Sequence, residues 1–234
     1  MTEPEDYTLA NARIVLADRV VHGAVEISQG RIAGVREGVW TGGHAYDMRG
    51  DYLVPGLVEL HTDHLESHFV PRAKVKWNPV AAVVSYDAQI AASGIATVFD
   101  SLRVGAASDS EGIAEDLQVL AGALDEARGK GLLRADHLTH LRCEVATHDV
   151  VAMAQAYFAG RPVHLVSIMD HTPGQRQFRD LVKMREFYAR NGFITGDAFD
   201  AFCADRMAMH ARHAVAPARS GRGGPCRRGG AGQP

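Results

Sequence analysis

VPGLVELHTDHLESH, residues 54–68, decides how this chain is read. An apolar run leads straight into His61, His64 and His68, interleaved with Glu59, Asp63 and Glu66. A strand that merely ends in water needs no such cluster, whereas one that presents ligands to a metal ion does. Side chains two apart on a strand project to the same face, so Leu57, Glu59, His61 and Asp63 share one side, with His61 and Asp63 at its C-terminal end. A neutral imidazole beside a carboxylate is a seat for a borderline divalent ion such as zinc, or for manganese. The competing reading is that His61 and Asp63 pair only with each other.

From Leu53 onward strands alternate with helices. LVPGLVELH reads as a buried strand, and Asn78 and Pro79 supply an N-cap and a first helical position for PVAAVVSYDAQIAAS, which Gly94 stops. GIATVFDSL is the second strand, the spacing of Ile113, Leu117, Leu120 and Leu124 marks the next helix, and DHLTHLRCEV is the third strand. Thr147 is expected to cap a short helix through VVAMAQAYF, PVHLVSIMDH is the fourth strand, and helical stretches follow at about 176–191 and 197–212. Such alternation implies right-handed parallel crossovers. The expected fold is α/β, with roughly half of a TIM-like barrel over residues 53–213. A complete barrel needs about 250 residues. A small N-terminal β segment, residues 1–52, precedes it as LANARIVLA, VHGAVEISQ and RIAGVRE, broken by glycine-bearing turns.

Active sites of parallel barrels form at the C-terminal ends of the strands, which directs attention to strands three and four. Leu138, His140, Arg142 and Glu144 share a face, and polar groups there are costly if buried unpaired. Glu144 is read as a carboxylate ligand with Arg142 beneath it; a structural Arg142–Glu144 ion pair is the alternative. His171 has the parity of Ser167 and Met169 and offers a third ligand position, whereas Asp170 has the opposite parity. His64, Glu66 and His68 read as solvated loop residues, orienting groups or substrate contacts. Arg72, Lys74 and Lys76 follow, and basic groups at a metal mouth suit a phosphorylated ligand. The chain contains no GxxxxGK[ST] loop, no GxGxxG after a strand and no GxSxG elbow. Phosphate would therefore be handled by metal, Arg and Lys.

Composition narrows the class. A formal net charge of -3 over 234 residues gives no general pull toward nucleic acid or an anionic membrane. Cys143, Cys203 and Cys226 are too scattered for a disulfide framework, MTEPEDYTLA lacks the layout of a secretory signal, and no apolar run reaches membrane-spanning length. A soluble cytoplasmic protein is expected. Residues 214–234 are dominated by Ala, Gly, Pro and Arg, and no carboxylate follows Asp205. Such a segment buries too little apolar surface to order itself, so disorder is expected. Its abrupt onset resembles a frame change in a GC-rich gene or a misplaced gene end. An RNA-binding arm ranks last, because the tail has no aromatic residue to stack on a base.

PGLVELHTDH, GIATVFDS and the upstream GRIAGV together resemble the amidohydrolase superfamily, metal-dependent hydrolases built on a distorted eight-stranded barrel. HTDHLESHFVPR, HLRCEV, SIMDHTPGQRQF and FCADRMA are similar to its diphosphatases of carbon–phosphorus lyase phosphonate catabolism, from about residue 8 to about residue 213. The resemblance implies hydrolysis of alpha-D-ribose 1-methylphosphonate 5-triphosphate to the 5-phosphate and pyrophosphate. It implies His61, Asp63, Glu144 and His171 as metal ligands, two divalent ions (zinc or manganese), and Arg142, Arg176 and Arg72 as contacts to a phosphorylated sugar. Members continue through further strand–helix units that bring another metal-binding histidine and a late aspartate acting on the water. The catalytic acid/base is accordingly expected outside this chain, which is expected to be inactive as it stands. Its open barrel edges are expected to favour homo-oligomers or aggregation, with no nucleic-acid or membrane partner. Another amidohydrolase (a deaminase or cyclic-amide hydrolase) and a non-catalytic metal-binding fragment are the alternative readings.

Overall fold

A computed structural model of the chain describes residues 6–72, 75–105, 113–190 and 194–215. Two units share the chain, Met1–Leu57 and Val58–Pro234. The expected tail at 214–234 lies outside the described residues after Val215, as do Lys74 and Cys226.

In the first unit, β1 (Tyr7–Val15), β2 (Val20–Ser28) and β3 (Arg31–Glu37) form an antiparallel meander, and β4 (Tyr46–Asp47) and β5 (Tyr52–Leu53) both pair with β1 in parallel. The β2–β3 hairpin turns on Gln29 and Gly30, both at positive φ, and closes on the Ser28–Arg31 pair. That is the geometry of the tight turns whose twist matches the flanking strands. Gly23 has a separate reason: a Cβ there would stand 1.9 Å from the Arg36 carbonyl oxygen of β3. Ala12, Ile14, Val21 and Val25 form the small core.

The second unit carries β6 (Leu57–Thr62), β7 (Ile95–Val104), β8 (Asp136–Glu144) and β9 (Leu165–Met169) in one sheet of that order. The β7–β8 and β8–β9 pairs are parallel, and the sheet curls as half a barrel. Helices α1 (His64–Phe69), α2 (Pro79–Ala92), α3 (Ile113–Gly129) and α4 (Val150–Gly160) connect the strands; α5 (Leu181–Arg190) and α6 (Asp197–Val215) follow β9. Asn78 accepts from the Ala81 N–H as the N-cap of α2, Pro79 stands at its first position, and Gly94 leaves at φ 76°. Leu65, Phe69, Val83, Tyr86, Val98, Leu102, Leu120, Leu124 and Leu141 lie in one core beneath the helices.

Four local expectations are corrected. The run LVPGLVELH is not one strand: Tyr52–Leu53 joins the first sheet, and β6 begins at Leu57 after Pro55, which has no N–H for a ladder, and Gly56. His64, Glu66 and His68 are not loop residues, because Leu65 and Phe69, one helical turn apart, bury together and wind the segment into α1. Thr147 does not cap α4; its hydroxyl donates to the Glu144 carbonyl, and Asp149 takes the N-cap position. The stretch at 176–191 divides into a 3-10 turn, Arg176–Phe178, and α5, whose first amides Val182 and Lys183 donate to the Asp180 carboxylate.

A buried charge network fastens the sheet toward the N-terminal ends of its strands. Asp87 on α2 is fully buried and accepts from the Arg134 N–H (2.8 Å), the Arg134 guanidinium (2.8 Å) and the Ala135 N–H (3.0 Å). The His137 Nε2 lies 3.3 Å from the same carboxylate, and its Nδ1 lies 3.0 Å from Asp100 on β7. With both ring nitrogens facing carboxylates, His137 is held as a cation. Burial works against that charge, but the contacts to Asp100 and then Asp87 outweigh it and raise the His137 pKa above the ordinary value.

Asp87→Ala is expected to lower the unfolding free energy by about 3–5 kcal/mol, the usual cost of stripping one partner from a buried ion pair; denaturant titration measures it. The His137 contribution is fully present below its unfolded pKa of about 6.5 and fades as pH rises through the raised folded value. A pH series of unfolding midpoints is expected to fall over that window in the wild type and to flatten in His137→Gln.

Candidate functional site

Each strand-end residue owes its place to the sheet. His61 is the fifth residue of β6, and its N–H donates to the Glu59 carboxylate at 3.0 Å. Asp63 lies one residue past the strand, at the N-cap position of α1, so strand parity does not set its direction. It nevertheless turns back toward His61, whose Nε2 is 3.4 Å from its carboxylate. The Arg142 guanidinium, reaching from β8, closes on the same Asp63 carboxylate. His61, Asp63 and Arg142 thus form one group.

Glu144 ends β8 and is opposite Met169, the last residue of β9, so His171 stands two residues beyond that pair. Glu144 is buried, and the His171 Nδ1 contacts its carboxylate. The N–H groups of His171 (3.2 Å) and Ala146 (3.3 Å) donate to the same carboxylate, and Arg206 of α6 lies 3.8 Å away. Burial resists ionisation of Glu144, but His171 and Arg206 outweigh it and hold its pKa below the ordinary carboxylate range. Arg142 does not pair with Glu144 as the structural alternative had it; its partner is Asp63.

The four expected ligands therefore stand as two imidazole–carboxylate pairs. Among the described residues, no three His, Cys, Asp or Glu side chains converge on a point that could hold a metal ion. In kind the donors fit: each pair offers one nitrogen and one carboxylate, the set that suits zinc or manganese. Each carboxylate already faces a cation, Arg142 at Asp63 and Arg206 at Glu144. The contact of Glu144 with Nδ1 is also the arrangement by which a carboxylate orients an imidazole that ligates through Nε2.

The expected phosphate contacts are dispersed. Arg142 is mostly buried and committed to Asp63, and Arg176 is exposed, with its Nε 3.5 Å from Asp170. Arg72 is exposed after α1, where its carbonyl accepts from the Val75 N–H at 3.0 Å.

Three sets of contacts were not foreseen in the sequence. Asp170, set aside for its opposite parity, has a side chain only 7% exposed, which accepts from the Thr172 hydroxyl at 2.6 Å with the His210 Nδ1 3.3 Å away. His140, seen in the sequence only as one of a polar face, is buried with contacts to Leu60 of β6 and Ser167 of β9. α6 docks on the strand ends through Asp205 (3.0 Å from His148), Arg206 and His210, with Met209 buried between them. A signal for that face existed in the helical spacing of Phe202, Arg206, Met209 and His210, which begins in the FCADRMA motif and runs two residues past it.

No family model matches the chain. It is 39% identical over 202 residues to the alpha-D-ribose 1-methylphosphonate 5-triphosphate diphosphatase of Escherichia coli (strain K12), over 86% of this chain and 53% of the relative. The chain thus spans about half the length of that curated relative, and the resemblance read from its motifs holds over those 202 residues. Among solved structures, a D-hydantoinase aligns with 80% of this chain and 44% of its own at 16% identity, with a TM-score of 0.46. N-acetyl-D-glucosamine-6-phosphate deacetylase from Mycobacterium smegmatis aligns with 81% of this chain and 53% of its own at 16% identity, also with a TM-score of 0.46.

Arg206→Ala is expected to lower the unfolding free energy by about 3–5 kcal/mol, since it removes a buried cation from a buried carboxylate. It also removes the guanidinium stacked 5.1 Å over the Phe202 ring. Denaturant unfolding of the variant, with Arg206→Lys as the charge-retaining control, measures the effect.

Proposed function

From this similarity to a diphosphatase, we propose that the chain carries the first two ligand pairs of a metal-dependent hydrolase. Its proposed substrate is alpha-D-ribose 1-methylphosphonate 5-triphosphate, which loses pyrophosphate and keeps the 5-phosphate, in the carbon–phosphorus lyase route of phosphonate catabolism. The observation that carries the reading is the placement of His61–Asp63 and Glu144–His171 at the C-terminal ends of strands of one curled parallel sheet. The 39% identity directs the choice of substrate.

In this reading His61 and Asp63 hold one divalent ion, zinc or manganese, and Glu144 and His171 contribute to a second. A divalent ion there acidifies water near neutral pH and stabilises charge on the oxygens of the transferred phosphoryl group. The protein groups do the rest. With its Nδ1 facing Glu144, His171 would offer Nε2 to an ion, and Glu144 would join the same ion only once that contact opens. Arg142 lies at Asp63, where its guanidinium can exchange the carboxylate for a phosphate oxygen once Asp63 turns to an ion. Arg176 and Arg72 supply further charge for the polyphosphate. The group that acts on the water belongs, in this reading, to the part of the relative's length with which this chain does not align. The protein is proposed to be cytoplasmic; among the described residues no helix is long and apolar enough to cross a membrane.

His61→Ala and Asp63→Ala are each expected to cut bound zinc or manganese at least tenfold, measured by metal analysis after dialysis, and to abolish pyrophosphate release. Retained metal in both variants removes the ligand assignment. Turnover of a cyclic-amide or deaminase panel, without pyrophosphate release from the triphosphate, would move the chain to a different hydrolase.

A further inference from the structure

His140 has a geometry that no ligand role explains. It lies on β8, is 1% exposed, and has both ring nitrogens engaged. Nδ1 is 3.0 Å from the Leu60 carbonyl oxygen of β6 and 3.1 Å from the Ser101 hydroxyl of β7, and Nε2 is 2.7 Å from the Ser167 hydroxyl of β9. One imidazole therefore touches every other strand of the sheet. A carbonyl can only accept, so Nδ1 carries the proton and donates to Leu60, while Nε2 accepts from Ser167. Burial of the ring, which lowers its pKa, favours the neutral Nδ1–H tautomer.

The contact with β6 skips a strand, since β7 lies between β6 and β8. In a flat sheet strands two apart are separated by about 9.5 Å, too far for an imidazole to bridge. The hydrogen bond thus forms only where the sheet curls, and it holds that curl. Its acceptor belongs to the residue immediately before His61. The two rings also meet edge to face, with centroids 5.1 Å apart at 78°. His61 is fixed twice by His140, through the backbone behind it and through the ring beneath it.

We propose that His140 is a positioning residue: its Nδ1–H bond to Leu60 and its ring contact set where His61, and with it Asp63, stands at the end of β6. The consequence for metal affinity rests on the reading of His61 and Asp63 as ligands; the consequence for the His61 ring does not. A side chain that aims a ligand in this way is worth roughly 10- to 100-fold in metal affinity. Asn at position 140 places an amide N–H near the Nδ1 position and keeps the bond to Leu60, whereas Phe keeps the ring shape and loses every hydrogen bond.

The experiment uses the whole chain, with zinc as the probe. Imidazole nitrogen NMR of the metal-free protein is expected to show His140 as the neutral Nδ1–H tautomer and His61 as one sharp set of ring signals. His140→Phe is expected to broaden or split the His61 signals and to weaken zinc binding roughly 10- to 100-fold, and His140→Asn to restore both to within a few-fold. Wild-type His61 signals and zinc affinity in His140→Phe overturn the proposal, as does a His140→Asn no better than His140→Phe. Equal zinc affinity in the wild type and His61→Ala overturns the ligand reading alone, and the His61 signals then decide the proposal. If His140→Phe does not fold, His140→Gln, whose amide reaches the Nε2 position and keeps a partner for Ser167 but loses the Nδ1–H bond to Leu60 and the ring, is read in its place: an unchanged His61 spectrum together with unchanged zinc affinity overturns the proposal.

Discussion

A cationic imidazole clasped between two buried carboxylates holds the parallel sheet to its helices. Asp87 comes from α2, Asp100 from β7 and His137 from β8, so one network joins a connecting helix to two neighbouring strands. Burying such groups is expensive unless each is matched, and here the Asp87 carboxylate also takes two backbone amides and a guanidinium. The network fixes the height at which β8 enters the sheet. Everything at the far ends of the strands inherits that register, including the alignment of Glu144 with Met169.

At those far ends the charges are cancelled locally. Asp63 faces Arg142, Glu144 faces His171 and Arg206, and Asp170 faces His210 and Arg176. A divalent ion at either pair would exchange with a cation already in place rather than enter a bare anionic hole. That exchange would release a guanidinium beside the site.

Much of this was legible in the sequence, and the parts that were not share a cause. Strands β1–β3 and β7–β9 and the Asn78–Pro79 start of α2 follow from local alternation and capping, because the pattern and the structure it dictates occupy the same few residues. The strand ends likewise brought Glu144 and His171 together, although His171 lies two residues past β9. The helix α1 was missed because six residues with two apolar anchors make too short a stripe to register. Asp63 was given a strand's direction although it had already left the strand. The partners of Asp87, Asp100 and Arg142 are 37 to 79 residues away in sequence, and Arg206 reaches Glu144 from a helix whose docking no local period reveals. Pairing across such distances is decided by the fold, so a single chain read residue by residue carries no trace of it.

The aromatic core that joins α5 to α6, built from Met184, Phe199, Phe202 and Cys203 with Phe178, Tyr188 and Ile194 around it, shares no residue with the core beneath the sheet. Cooperative units of a protein open at their own free energies, and a helical pair with a private core is such a foldon. Its breathing would lift Arg206 from Glu144 and His210 from Asp170 together while the strands stay shut. Such an opening would expose Glu144 and Asp170 together, and native-state hydrogen exchange in α5 and α6 faster than in β8 would register it.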